Sequence, residues 1–543
     1  MSPNDIKKFS MVPDISRVRS RFKLSHTHDF TCNVGDLIPF LVDEVYPGDN
    51  PSVGLSDLTR LMTLINPIFS DIYTDYYLFF VPYRIIWDNF VNFMGESVDN
   101  FYDDETTYSV PQVTSPVGGW SVGTLADYMG CAIGVDNLSV SDLFFRAYGK
   151  VVNDWFIDEN INNPVNVPRN NSTVSGSNGS DYVTDLVKGG KPFIAPKFHD
   201  YFTSAYISPQ LGDPVTIGIG TQAPLQTGDS YTLDSDIFFG SPSTALTGKS
   251  YPLYSFGDGT GSSDYVFTPG PVSAEKNYGV TVTNLYANLE EASSITINDL
   301  RYSFAVQRLL EKQMSMGHRY IEILYASFGV KSPDARLQRS EFLGGKRISL
   351  DINTIVQTSQ SENTALGSTA GYSATHKSFH LSDKTITEHG ILLGLCCSRY
   401  LHSYSQGMAK MWFRKDKYDF YWPELANIGF QPILNKEIYV QGNSVDDEVF
   451  GYTEAWSDLR YKPNRVSGYL RPEVSQSLSS WVLTDNYSEL PTLSTDWLKE
   501  SKSNVDRVIA VSSQNTHQLL HNMLINYKNI RVLPTFSIPK ING

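Results

Sequence analysis

The sequence predicts a mainly β protein, a sandwich of short antiparallel strands with long insertions and a few helices. Three observations carry this expectation. Aromatic residues make up 13% of the 543 residues and glycines number 39, a composition of many short strands and tight turns rather than of a helical bundle. Strand signals rich in β-branched and aromatic residues occur in both halves of the chain, and one clear helix and one long turn-rich stretch lie between them. The chain is long enough to bury a large core, and all-β chains often form one large domain, so length alone sets no domain count.

In chain order, residues 1–24 read as a basic arm. Lys7, Lys8, Arg17, Arg19, Arg21 and Lys23 stand there against only Asp5 and Asp14, with no sustained apolar periodicity over residues 1–20. A solvated terminus and an arm whose cations meet nucleic-acid phosphates or neighbouring subunits both fit this pattern. A strand is expected over 30–45, with Pro39 marking an edge or a bend. His26 and His28 flank Thr27 and would share a strand face, but no further ligand stands at metal-site spacing. Pro47-Gly48-Asp49 is a turn signal, and residues 72–86 form a buried strand stopped at Pro82. A short helix over 87–94 follows, which Gly95 can cap, and a second amphipathic helix is expected over 143–157.

Residues 170–180 form a low-complexity loop. From 212 to 289 the composition turns to Gly, Ser, Thr, Pro and Tyr, and a long insertion of this kind is expected to be functional or disordered. Short strands are expected within it at 215–219 and 265–267. Its Gly257-Asp258-Gly259-Thr260-Gly261 run reads as a surface turn, because a phosphate loop needs a core strand before it and a helix after it. The clearest helix spans 298–316, with Asn298 as N-cap and Leu300, Phe304, Leu309 and Leu310 on one apolar face, and 319–328 can add further turns. Strands are then expected at 346–357, 385–400, 436–441, 507–511 and 531–538.

The four cysteines, Cys32, Cys131, Cys396 and Cys397, are too few and too irregularly spaced for a disulfide framework and read as reduced structural thiols. No N-terminal run has signal-peptide character, and no apolar stretch approaches the ~20 residues that span a bilayer, so no membrane insertion is expected. A formal charge of −15 excludes nucleic-acid binding by the whole surface and leaves only local basic patches for it. A hydrolase would need two carboxyl groups across a cleft. Asp103/Asp104, Asp446/Asp447 and Glu454/Asp458 are adjacent acids of the kind any solvated acidic surface carries, and no metalloprotease or nucleophile-elbow motif is present. The Tyr-rich insertion leaves a secreted or surface glycan-binding protein or glycoside hydrolase as the alternative reading.

Several motifs fall in one order along the chain. Pro47-Gly48-Asp49, FFVP at 79–82, Trp87 and Gly95-Glu96 open it. FGV at 328–330, SPDARLQR at 332–339 and LGG at 343–345 follow. EHG at 388–390, SYSQGMAKMW at 403–412, YDFYWPELANIGFQ at 418–431, VFGYTEAWSDLRYKPNRVSGYLR at 449–471 and RVLPTFSIPKING at 531–543 complete the set. This combination resembles the major capsid proteins of the Microviridae, in their gokushovirus branch, small single-stranded-DNA bacteriophages.

The resemblance implies an eight-stranded antiparallel viral jelly roll with long loop insertions. It implies divisions at 1–24 (arm), 25–211 (first part of the jelly roll), 212–289 (a surface protrusion at the threefold axis) and 290–543 (helix, remaining strands and tail). The implied assembly is a T=1 shell of sixty copies enclosing single-stranded DNA. The implied partners are a small basic DNA-condensing protein, an internal scaffolding protein, a pilot protein and a host-cell receptor met by the insertion. No catalysis, cofactor or metal is implied, and the implied location is the virion, assembled in the bacterial cytoplasm. The arm cations named above are the expected nucleic-acid-facing residues. The runs DARLQRSEF and DLRYKPNR mix Arg with Asp or Glu, as either inter-subunit networks or internal salt bridges would.

Overall fold

A computed structural model of the protein describes residues 18–96, 108–215, 297–356, 358, 367, 369–510 and 516–536, together with the backbone of short strands between 225 and 287. Backbone contacts divide the chain into Met1–Pro209 with Gln313–Gly543, and Gln210–Lys312.

The first unit is built on nine strands: β1 (Ser20–Lys23), β2 (His26–Cys32), β3 (Ile38–Val45), β4 (Asn50–Leu61), β5 (Ile72–Pro82), β6 (Glu341–Ser349), β7 (Thr375–Asp383), β8 (Gly390–Tyr400) and β9 (Leu519–Arg531). They form two sheets. In the first, β1 and β2 lie end to end along one side of β9, followed by β4 and β7; in the second the order is β6, β5, β8, β3. Every pairing in both is antiparallel. β1 and β2 are one strand interrupted at Leu24-Ser25, and the chain crosses between the sheets at most steps, which is the jelly-roll arrangement.

The two sheets differ in how they are covered. All eleven residues of β8 are buried, and alternate residues serve different cores. Leu392 and Cys396 enter the cluster between the sheets with Phe40, Tyr76, Val53 and Ile525. Leu393, Leu395 and Cys397 enter a second cluster on the opposite face, with Trp87, Trp120 and Tyr148. That second cluster is roofed by helix α1 (Leu143–Trp155), so β5 and β8, at the centre of the second sheet, are buried on both sides, while the edge strand β6 stays largely exposed. β9 instead alternates buried and exposed residues along nearly its whole length, because only its inner face meets the core. Replacing Ile525 with valine is expected to cost about 0.5–1.5 kcal/mol in chemical denaturation, whereas Leu524→Ser on the opposite face stays within about 0.5 kcal/mol. Equal costs would contradict the face assignment.

Beyond the sandwich, residues after β8 are tied down by a buried charge network. His402 places Nδ1 2.7 Å from Asp485 and Nε2 2.9 Å from Glu500. Lys197 Nζ donates to Asp485 at 3.2 Å, as do Asn504 Nδ2 at 2.7 Å and the Tyr487 hydroxyl at 2.8 Å. With a carboxylate at each ring nitrogen, both nitrogens must donate, so the ring is imidazolium. Burial alone would push its pKa down, but Asp485 and Glu500 outweigh that and raise it to about 9. Asp485 is held well below the ordinary carboxylate range by His402 and Lys197, against the upward push of burial.

Several expectations need correction. The strand expected over 30–45 is two strands, divided by a turn in which Asp36 accepts the Asn33 amide at 3.0 Å and Gly35 adopts φ +89°. Pro39 lies on the edge strand β3, opposite a register shift at Gly394/Leu395. Residues 346–357 are the end of β6 and a separate strand, Ile352–Val356, and the strand expected from 385 begins only at Gly390. Residues 436–441 begin in a short helix, Asn435–Ile438, because Glu437 turns back to accept the Leu434 amide at 3.1 Å. Residues 507–510 follow the helical turn Ser503–Asp506, and only Ile509 makes an isolated bridge. The last strand is not 531–538 but β9, which ends where that stretch begins.

Helix α2 (Ile297–Met316) starts one residue before its expected cap, so Asn298 is inside it. Its apolar stripe is not core either, since Phe304 is 61% exposed and only Met314 is buried. In the Gln210–Lys312 unit the backbone shows short strands such as Val266–Thr268, paired with Tyr254–Phe256, near the expected 265–267. The strand expected at 215–219 and the glycine run at 257–261 fall mostly or wholly outside the described residues, as do Asp103 and Asp104.

Candidate nucleic-acid interface

The open face of the first sheet is defined by register. Leu520, Asn522, Leu524, Asn526 and Lys528 of β9 alternate with its buried residues. Beside them on β4 lie Ser52, Ser56 and Arg60, and on β2 Thr27, Asp29 and Thr31. In β1, Arg21 stands opposite Ile530 and Lys23 opposite Lys528, so both point to this same face. Small polar groups and cations make up most of the surface. Asp29 accepts a hydrogen bond from Asn522 at 2.6 Å, and His376 pairs with Ser56 at 3.0 Å.

Of the six expected arm cations, Arg21 and Lys23 lie on this face and are exposed; Arg19, also exposed, directly precedes β1. Lys7, Lys8 and Arg17 lie outside the described residues. The structure adds Lys528 and Arg60, which sequence reasoning missed. The signal in LLHNMLINYKNIR is weak, because burial alternates strictly along it while hydrophobicity does not: Leu520 and Leu524 face outward, and His521 and Asn529 face inward. By contrast, Arg531 at the end of β9 is engaged internally, 2.9 Å from both Asp43 and Asp49.

Other candidate groups are also engaged inside the protomer. Asp446 accepts the Gln441 and Gly442 amides, Asp447 pairs with Lys436, Glu454 with Arg460, and Asp458 with Arg414 at 2.6 Å. These pairs face their own partners rather than each other across a cleft. The acids and bases of DARLQRSEF and DLRYKPNR thus resolve largely as internal pairs, Arg339 with Asp334 and Glu341 with Lys384 among them. His26 and His28 share a face, as expected, but bond separately to the carbonyls of Leu24 and Phe40. Among the described residues no cluster could hold a metal ion, all four cysteines are free thiols, and no helix is long and apolar enough to cross a membrane.

A further surface sits on helix α3 (Tyr320–Phe328), whose sequence YIEILYASF is almost wholly apolar and yet has no buried residue. Tyr320, Tyr325 and Phe328 are 63%, 65% and 73% exposed. The helix is nonetheless held firmly at its start. Arg319 donates to the carbonyls of Asn153 at 2.9 Å and Ile157 at 2.8 Å and pairs with Glu159 at 3.0 Å and Glu322 at 3.3 Å.

A jelly roll with one sheet doubly covered at its centre, one sheet face left open and a firmly mounted apolar helix left bare fits the class of viral coat proteins, built to be covered by other molecules. The comparisons agree. The family model described as capsid protein (F protein) matches residues 10–541, and the chain belongs to that family. It is 41% identical to the capsid protein VP1 of Spiroplasma virus 4 over 98% of this chain and 97% of the relative. It is 34% identical to that of Bdellovibrio phage phiMH2K, covering 98% of each, and 33% identical to that of Chlamydia phage 1, covering 98% and 97%. The resemblance to microvirus capsid proteins is therefore borne out. The protein is a structural component of the virion and not an enzyme.

Proposed function

We propose that sixty copies of this chain assemble into a T=1 icosahedral shell around a single-stranded DNA genome, with the open face of the first sheet turned to the DNA. The observation that carries this reading is the cationic row Arg21, Lys23 and Lys528 on an uncovered sheet face of a chain whose formal charge is −15. Sixty such chains carry about −900 and repel a polyanion on average, so the surface that meets the genome must be locally reversed in sign. The sequence carries four more cations just before β1, Lys7, Lys8, Arg17 and Arg19, and a small basic DNA-condensing protein supplies the rest of the counter-charge. The insertion at 212–289 forms the outward protrusion and meets the host-cell receptor. Assembly takes place in the bacterial cytoplasm with the help of a scaffolding protein, and a pilot protein completes the particle.

Helix α3 supports the assembly half of this reading, with a second copy of this chain as its occupant. A helix apolar on all sides is stable only when covered. Two copies of like charge approach best where neither carries net charge, and the single charged residue of α3, Glu322, is neutralised by Arg319.

The test is the mass and content of the native particle. Sixty chains of 60.8 kDa predict a protein shell of about 3.6 MDa. A particle of that mass whose DNA resists nuclease until the shell is opened is the expected result. A lone chain with no protected DNA would overturn it.

A further inference from the structure

Next to the open sheet face lies a cleft of about 330 Å³. Lys191, Lys499, Lys502 and His517 line it, together with Tyr182 and Asn33. The volume falls at the lower end of the range that small-molecule sites occupy. Lys499 Nζ stands 5.5 Å over the Tyr182 ring and 2.8 Å from the exposed Asp496, and the Lys502 ammonium has no described partner. Lys191 Nζ is aimed by the carbonyls of Val122 at 3.2 Å and Gly123 at 3.5 Å, neither of which neutralises it. Asn33 Oδ1 is buried without a described donor.

At the foot of the cleft burial pushes the Asp36 carboxyl up to about 6, against the Asn33 amide and the charges of His517, Lys502 and Lys191. Lys191 and Lys502 thus act on one spot, and Asp36 is the single acid that lines the cleft. The cleft is also continuous with the open face. His517 Nδ1 bonds to the Thr31 hydroxyl at 2.8 Å, and Thr31 belongs to the outward row of β2.

We propose that this cleft seats one nucleotide of single-stranded DNA, its phosphodiester held by Lys191, Lys499 and Lys502 and its base laid against Tyr182. The ammonium groups give charge without sequence preference, and every base offers a face to stack. A strand crossing the open sheet is then anchored once per subunit. This rests on the reading that the shell encloses single-stranded DNA.

The experiment measures anisotropy of a labelled oligothymidylate titrated with the full-length chain at several salt concentrations. Lys499→Gln with Lys502→Gln is expected to weaken binding about five- to tenfold at low salt and to lower the salt slope by about 1.4. Lys502→Gln alone, at an exposed side chain with no hydrogen bond or ion pair among the described residues, gives a smaller loss in the same direction without disturbing the fold. Tyr182→Leu weakens binding but leaves the slope unchanged, which loss of a cation would not do. Lys331→Gln with Lys415→Gln, at exposed sites elsewhere, leaves binding unchanged. An equal loss in that control pair would overturn the cleft as non-specific charge. Unchanged binding in the cleft variants with a loss in Arg21→Gln, Lys23→Gln, Lys528→Gln would overturn the cleft and leave the sheet face standing. Unchanged binding in both sets would overturn both.

Discussion

Asp485→Ala is expected to destabilise the protomer by roughly 3–5 kcal/mol, because it removes one partner from a buried charge network and strands the others. Asp485 receives His402, Lys197, Asn504 and Tyr487, and its loss leaves an imidazolium and an ammonium facing an apolar methyl. Chemical denaturation of unassembled protein measures the cost. A loss below about 1 kcal/mol would show that water replaces the carboxylate and that the site is not closed.

The same network gives stability a defined pH profile. The folded-state pKa of His402, about 9, lies above its ordinary 6.5, so its contribution is complete below pH 6.5 and is lost as the pH rises through about 9. Asp485 is shifted the other way, so its contribution is complete above its ordinary 3.8 and is lost as the pH falls below that value. Both are whole between about pH 4 and 6.5, and the network weakens on the alkaline side first. In Asp485→Ala the alkaline decline is expected to flatten, and an unaltered decline would assign it to other groups.

Tyr325→Asp combined with Phe328→Asp is expected to abolish shells while leaving a folded, soluble protomer. Both side chains are more than half exposed in the protomer, so the substitutions cost it within about 0.5 kcal/mol each. In a contact between copies each aspartate becomes a buried charge without a partner, a penalty of several kcal/mol repeated at every copy. Sedimentation should show free protomers or small oligomers with an unchanged melting temperature. Particles at wild-type yield would mean that α3 stays bare in the shell and that copies meet elsewhere.

The sequence showed the class of fold more clearly than its strand list. β5 and β8 were legible because a strand buried on both faces is a continuous apolar run, as in IYTDYYLFFVP and GILLGLCCSRY. β4, β7 and β9 were missed because each is covered on one side only, and polar residues stand even among the inward positions. Asp57 and Thr59 of β4 and His521 of β9 all point into the core, where Asp57 accepts from His521 at 2.8 Å and from Tyr76 of β5 at 2.6 Å. A buried hydrogen-bonded triad of this kind reads, in one dimension, as a break in the hydrophobic pattern. The terminal stretch 531–538 offers a denser run of apolar residues than β9 does, although β9 is the strand. For the candidate site, Arg21 and Lys23 were found from charge alone, whereas Lys528 and Arg60 needed the register that brings distant strands together. The lysines of the cleft come from two segments far apart in the chain, Lys191 in one and Lys499 with Lys502 in the other, and no local pattern links them.

The position of β9 also fixes when the protein can fold. It is the inner strand of its sheet, flanked by β1 and β2 from the first 32 residues on one side and by β4 on the other, yet it ends at Arg531. During synthesis the early strands must wait for their central partner until almost the whole chain has left the ribosome, about 25 to 100 seconds at about 5–20 residues per second. Through that interval β2 and β4 have unpaired edges, the condition in which strands add to other chains. Overproduction on crowded ribosomes should therefore favour mispairing between nascent chains, and a chaperone that shields the first sixty or so residues until termination would raise the yield of native protomer.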